Sequence, residues 1–184
     1  LDKLDKELEK RGLRYVRYAD DCSIYVKSKR SGERVMESIT RYIEKELKLK
    51  VNTEKSSVTR PWLMKLLGFT FYHKKGEKGI SVHRKSIAGY KDKIRAITCR
   101  SKPYSIALRL EQIRQLNEGW GHYFKLSEAK SVFAELDSWV RSRVRQCYWQ
   151  QWKRPRTRVK ELTKLGIPAN KAYQWGNARK GQWR

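Results

Sequence analysis

Apolar positions along the chain change their spacing several times, and each change marks an element. Leu1, Leu4 and Leu8 recur at helical spacing and Gly12 follows as a stop, so the first element reads as a helix ending near Arg11. Residues 13–19 and 22–26 are apolar and aromatic-rich and are separated by Asp20-Asp21, which predicts a β-hairpin with carboxylates at its tip. Ser31-Gly32 breaks the pattern, after which Val35, Met36, Ile39, Ile43 and Leu47 keep one helix face apolar to about Leu49. Residues 51–59 read as a loop leading into a short strand, closed by Pro61. Residues 66–72 and 80–83 predict a second hairpin, joined by the Gly- and Lys-rich turn at 74–79.

Beyond about Arg84 the pattern turns helical. A helix is predicted over residues 85–98, and a second from Pro103 in its first turn to about Asn117, where Gly119 and Gly121 interrupt it. Ser127 is placed to cap a third and longest helix, whose buried side is marked by Phe133, Leu136, Val140, Val144, Cys147 and Trp152 until Pro155 stops it. Arg141 and Arg145 lie one turn apart on another face, available to phosphates. A short helix over 157–165 ends at Gly166, and a tail rich in Trp, Lys and Arg follows. The expected class is α+β: antiparallel hairpins with a packed helix over 1–84, an all-α bundle over 85–156, and a basic extension over 157–184.

Composition changes this picture in one respect, the charge. The 184 residues carry 44 Lys and Arg against 19 Asp and Glu, a formal charge of +25. The excess is regional: residues 1–50 hold 14 basic and 10 acidic groups, whereas residues 51–184 hold 30 and 9. Self-repulsion of this size disfavours a compact state unless a polyanion offsets it, and phosphate backbones are the commonest such partner. A membrane reader would concentrate its charge on one amphipathic helix instead of spreading it over several elements. Seven Trp and ten Tyr accompany the charge. Tyr148, Trp149, Trp152, Trp175 and Trp183 fall within basic stretches where bases could stack, but Trp120, Trp139 and Tyr148, at helical spacing, are read as core.

Other classes drop out. With 34% charged residues there is no apolar run of about 18 residues to span a membrane. No secretory leader is evident, and Cys22, Cys99 and Cys147 are odd in number and far apart, so the expected setting is reducing and cytoplasmic, without disulfides or zinc. His73, His83 and His122 show no ligand spacing.

Two adjacent ionised carboxylates repel by roughly 4 kcal/mol at about 4 Å and an effective dielectric near 20, so holding Asp20 and Asp21 at one turn needs a cation or divergent directions. Mg²⁺ suits the first: it takes carboxylate oxygens together with substrate phosphates and water, and a pair of such ions stabilises phosphoryl transfer. Taken alone, Asp-Asp is also ordinary turn chemistry.

The pair is not alone. Tyr18-Ala19-Asp20-Asp21 between two strands resembles the active-site hairpin of reverse transcriptases. Asn52-x-x-Lys55-Ser56 after a helix and Leu67-Gly68-Phe69 before a hairpin match the blocks that follow in the same order. Further on, Leu116-Asn117-Glu118-Gly119-Trp120-Gly121-His122-Tyr123-Phe124, and the helix through Trp139, Arg141, Arg145, Trp149 and Trp152, resemble the maturase-specific thumb, or domain X, of group II intron-encoded proteins. The closing Asn177-Ala178-Arg179-Lys180-Gly181-Gln182-Trp183-Arg184 is similar to bacterial members.

This resemblance implies a partial reverse-transcriptase palm over 1–84 followed by the helical thumb. It implies that Asp20 and Asp21 are catalytic carboxylates binding Mg²⁺, and that Lys55 acts near the departing pyrophosphate of a deoxynucleoside triphosphate. Tyr18 and Ala19 would shape the floor under the primer end, and Leu67, Gly68 and Phe69 would position the primer. Arg141, Arg145, Lys153, Arg154, Arg156 and Arg158 would grip group II intron RNA and an RNA template with its DNA primer, mostly through phosphates and shape.

Departures accompany the likeness. The family's third aspartate comes from an earlier palm strand that nothing before Leu13 provides; the fingers and an endonuclease domain are likewise not evident, and the chain begins with Leu, as a piece of a longer reading frame would. Two readings stand. One is the carboxyl-terminal part of a polymerase and splicing factor, inactive alone, which would associate with the missing amino-terminal half or with a second copy. The other is a non-catalytic basic RNA-binding remnant that assists intron folding.

Overall fold

The computed structural model describes residues 1–74 and 76–179. Lys75 of the predicted turn, Trp183, and positions 180–184 of the closing motif lie outside the described residues. The chain divides into two compact units, Leu1–Lys78 and Gly79–Arg184. The architecture is α+β, with two antiparallel hairpins and seven helices among the described residues.

In the first unit, α1 (Asp2–Lys10) buries Leu4 and Leu8, and Gly12 at φ +66 reverses the chain while the Leu13 amide closes on the Leu8 carbonyl at 3.0 Å. β1 (Arg14–Tyr18) and β2 (Asp21–Tyr25) pair antiparallel, with Val16 opposite Ser23 and Tyr18 opposite Asp21. α2 (Lys29–Lys45) packs Ile39, with Val35, Tyr42 and Ile43 beside it, onto Leu4 and Leu8. The expected break at Ser31-Gly32 is instead the first turn of α2, because Ser28 caps it: its hydroxyl accepts from the Ser31 amide at 3.1 Å. Gly32 is needed there, since a Cβ would sit 2.7 Å from Val58 Cγ1.

Residues 51–59 form no strand. Asn52 makes a turn instead, its side-chain oxygen accepting from the Lys55 amide at 3.1 Å. After a 3₁₀ turn at Pro61–Leu63, the second hairpin consists of β3 (Phe69–Lys74) and β4 (Glu77–Val82). β3 starts later than the sequence implied, because Leu66 and Phe69 exchange backbone hydrogen bonds of 3.0 and 2.8 Å around a two-residue turn.

The second unit takes in residues 79–82 of β4 and is otherwise helical: α3 (Arg84–Ile97), α4 (Ile106–Phe124), α5 (Lys130–Gln151), α6 (Pro155–Lys164) and α7 (Ala169–Gly176). Tyr90, Ile94, Ile113, Leu136 and Val140 form its core, with Trp120 and Trp139 packed against it. Burial pushes the Tyr90 hydroxyl up to about 12, and it donates to Asn117 Oδ1 at 2.6 Å. His83 caps α3, its Nδ1 accepting from the Lys85 amide at 3.2 Å.

Four expectations change here. α4 starts at Ile106 under a Ser105 cap, leaving Pro103 in the preceding loop. Gly119 and Gly121 do not interrupt it, because Trp120 between them packs on Tyr90, Phe124 and Phe133 at centroid distances of 4.7, 4.7 and 5.4 Å. Ser127 closes α4 by donating to the Phe124 carbonyl at 2.8 Å, and does not cap α5. The tail contains α7, unforeseen because its buried residues are the small Ala172 and Gly176. A Cβ on Gly176 would meet Val159 Cγ2 at 2.7 Å and the Val159 nitrogen at 3.2 Å, so α7 depends on glycine to lie against α6.

Arg109, only 7% exposed, organises the α3–α4 connection. Its guanidinium donates to the carbonyls of Ile97 (2.8 Å), Cys99 (3.0 Å), Lys102 (2.6 Å) and Tyr104 (3.2 Å). Arg143 of α5 adds two bonds to the buried Thr98 hydroxyl, at 2.9 and 2.7 Å. Both cations sit at the carbonyl end of α3, where the helix dipole favours positive charge.

Candidate active-site hairpin and nucleic-acid interface

Alternation along β1 separates two sets of side chains. Arg14, Val16 and Tyr18 are exposed, Tyr18 at 62%, whereas Tyr15 and Arg17 are half-buried. Two residues, Ala19 and Asp20, link the strands, and Ala19 takes φ +53, a left-handed conformation that costs an L-residue about 1–2 kcal/mol. Arg17 offsets that strain. Its Nη1 donates to the Ala19 carbonyl at 2.8 Å, while Nε donates to Asp5 Oδ1 at 2.7 Å and Nη2 donates to Asp5 Oδ2. The Arg17 hydrogen bond holds the Asp5 carboxyl below its ordinary range, and the same bond raises Arg17.

Asp20 and Asp21 are exposed and form no ion pair among the described residues. This contrasts with carboxylates such as Asp5, Asp92 and Asp137, each of which holds an arginine. Two adjacent oxygen-donor side chains open to solvent fit a hard divalent cation that keeps waters and substrate oxygens as its other ligands. Among the described residues no group of three or more His, Cys, Asp or Glu side chains could hold a metal ion.

Lys55 is exposed, and the Asn52 carbonyl and side-chain oxygen hold its turn at 3.3 and 3.1 Å from its amide. It makes no ion pair with Asp20 or Asp21. Leu67 (φ +50) and Gly68 (φ +84) are both left-handed, which makes the 66–69 turn type I′, a conformation glycine accepts readily and leucine does not. β2 and β3 meet where Tyr25 packs edge-on to Phe71 at 6.3 Å. Tyr18, Ala19, Asp20 and Asp21 thus share one tip, while Lys55 and the Leu67-Gly68-Phe69 turn are held by separate local devices.

The six arginines and lysines singled out in the second unit divide into two kinds. Arg141 and Arg145 are exposed and, with Val140 and Val144, line an open depression on α5; Arg141 is paired with Asp137 at 2.6 Å. Lys153, Arg154 and Arg156 are exposed at the α5–α6 corner and form no ion pair among the described residues. Arg158 is committed to the fold: it donates to the carbonyls of Trp152 (2.8 Å) and Lys153 (3.2 Å) and stacks over the Trp149 ring. Sequence reasoning missed Lys91 and Arg95, which lie 5.7 and 5.6 Å from the Trp139 ring centroid. Their spacing of four residues on α3 was the available signal.

Comparison with protein families accounts for both units. Residues 1–71 match the model for reverse transcriptase (RNA-dependent DNA polymerase), and residues 87–166 match the group II intron maturase-specific domain. The chain belongs to the group II intron reverse transcriptase/maturase family. A group II intron reverse transcriptase/maturase works with a divalent metal and deoxynucleoside triphosphates, and its two domains imply binding of intron RNA and of template-primer. Comparison with curated proteins found no match. Among the described residues, no helix is long and apolar enough to cross a membrane.

Proposed function

We propose that residues 1–84 act as the carboxyl-terminal part of the palm, that 85–156 act as the thumb, and that 157–184 extend the thumb's basic surface. The observation that carries this is the Asp20–Asp21 tip: in a chain of +25, two neighbouring carboxylates stay exposed and form no ion pair among the described residues, while others such as Asp5 and Asp137 hold arginines. In this reading Asp20 and Asp21 hold Mg²⁺, which when bound neutralises and orients the attacking and leaving oxygens of nucleotide transfer. Tyr18 and Ala19 form the floor beneath the primer end, and the tight Leu67-Gly68-Phe69 turn positions the strand. Lys55 offers its ammonium to the departing pyrophosphate.

Arg141, Arg145, Lys153, Arg154 and Arg156 contact phosphates of intron RNA and template-primer, and Arg158 contributes by holding the corner that presents Lys153 and Arg154. Among the described residues no third strand joins the β1/β2 sheet, and its strand edges suit a further palm strand from an amino-terminal half or a second copy. A chain acting on intron RNA in this way would work in the cytoplasm.

Primer extension on an RNA template tests the reading. Extension is expected when a polypeptide supplying the fingers and the remaining palm carboxylate is added, and Asp20→Ala should abolish it while sparing RNA binding. One observation favours a second reading, a non-catalytic RNA-binding protein that assists intron folding: no third carboxylate joins the pair among the described residues. Intron RNA bound at physiological salt with no extension after complementation would establish that reading instead.

A further inference from the structure

We propose that Arg17 is a positioning residue for the Asp20–Asp21 tip, pinning the Ala19–Asp20 peptide so that both carboxylates face one cation. The inference rests on the metal-binding role proposed for these aspartates. A peptide unit is planar, so the Ala19 carbonyl and the Asp20 amide turn together. Fixing the carbonyl with Arg17 Nη1 at 2.8 Å therefore fixes the direction in which the Asp20 main chain leaves the turn. Without that anchor, two forces act to open the tip: the left-handed strain at Ala19 and the mutual repulsion of the adjacent carboxylates.

The anchor is itself held. One edge of the guanidinium, Nε and Nη2, grips both oxygens of Asp5 on α1, and the side chains of Arg17 and Asp5 are each 23% exposed. Leu4 and Leu8 bury α1 against α2, so the tip is referred through a planar three-atom fork to the core of the unit. Lysine, with one ammonium, cannot grip the Asp5 carboxylate from two nitrogens and still reach the carbonyl from a third.

Charge and geometry make opposite predictions here, which gives the test its power. Deleting a cation beside a metal site strengthens metal binding on Coulombic grounds, whereas deleting a positioning residue weakens it. The probe is Mn²⁺, titrated into the ¹⁵N-labelled chain and followed as paramagnetic broadening of the Asp20 and Asp21 amides, with amide exchange at 19–21 recorded in parallel. Arg17→Met should require about 10-fold more Mn²⁺ for equal broadening, the low end of what residues supporting metal ligands are worth. Its tip amides should also exchange faster, while Arg17→Lys should recover only part of the affinity. Equal or tighter Mn²⁺ binding by Arg17→Met overturns the positioning role. If that variant loses its dispersed spectrum, Arg17→Lys decides, and parity with the unsubstituted chain overturns the proposal. Absence of selective broadening at Asp20 and Asp21 in the unsubstituted chain is a different failure, of the metal reading itself, and removes this proposal with it.

Discussion

Replacing Arg109 by Met separates the cations that build the second unit from those that face a ligand. Methionine keeps most of the apolar stem and removes every N–H, so the carbonyls of Ile97, Cys99, Lys102 and Tyr104 lose their donor together. A hydrogen bond to a charged group contributes about 1.5–3 kcal/mol, but four bonds from one guanidinium are not additive, and loop carbonyls regain some water. The buried guanidinium also carries a desolvation penalty of several kcal/mol that methionine does not. The expected net loss is about 2–4 kcal/mol, a large part of the roughly 5–15 kcal/mol by which domains are stable.

Urea unfolding measures this cleanly in a Trp62→Phe background, because every other tryptophan lies beyond Gly79. With a slope of about 2 kcal/mol per molar urea, the midpoint should fall by about 1–2 M. Without urea, RNA affinity and its salt dependence should match those of the parent, since Arg109 is buried. A midpoint shift below about 0.3 M would refute the reasoning, by showing that relief of desolvation cancels all four bonds.

Other outcomes follow from the same geometry. Affinity for structured RNA should fall about 10³- to 10⁵-fold between about 50 and 200 mM salt if roughly 6–10 phosphates are contacted, and Arg141→Ala with Arg145→Ala should lower the salt slope by about 2 without loss of helicity by circular dichroism. Gly176→Ala should destabilise the α6–α7 pair in hydrogen exchange, because overpacking against a backbone nitrogen costs about 1–3 kcal/mol and exceeds the helix-propensity gain of about 1 kcal/mol. Hydrogen bonds from Arg114, and secondarily Gln115, lower Glu111 from 4.5 to about 2. A depressed carboxyl stabilises the fold fully above its unfolded value and loses that contribution as pH falls, so acid unfolding of the parent should include a component between about 4.5 and 2 that Glu111→Gln removes.

What the sequence made legible was local. The hairpin could be read because Asp20-Asp21 interrupts two apolar segments, although the turn itself is Ala19-Asp20 and Asp21 opens β2, and both helix faces of the first unit because their leucines and isoleucines keep one period. What it hid is tertiary. Nothing in Asp5 or Arg17 alone announces their pairing, since twelve residues and a chain reversal at Gly12 separate them. Gly119 and Gly121 read as breaks because propensity treats glycine as a helix breaker, yet the three rings around Trp120 outweigh it. α7 was invisible because Ala172 and Gly176 bury by smallness, which leaves no hydrophobic period to find.

The same distinction governs how the charge should be read. A count of +25 invites treating every arginine as a phosphate contact, but Arg109, Arg143 and Arg158 direct their guanidinium groups at carbonyls, a hydroxyl and an indole of their own unit. Each satisfies main-chain or side-chain oxygens that would otherwise lose water on folding, a duty arginine performs with five donors and lysine cannot. In the proposed reading, the cations left for a polyanion are those with no such duty among the described residues, Lys153, Arg154 and Arg156 foremost. RNA affinity should follow their removal and not the total charge of the chain.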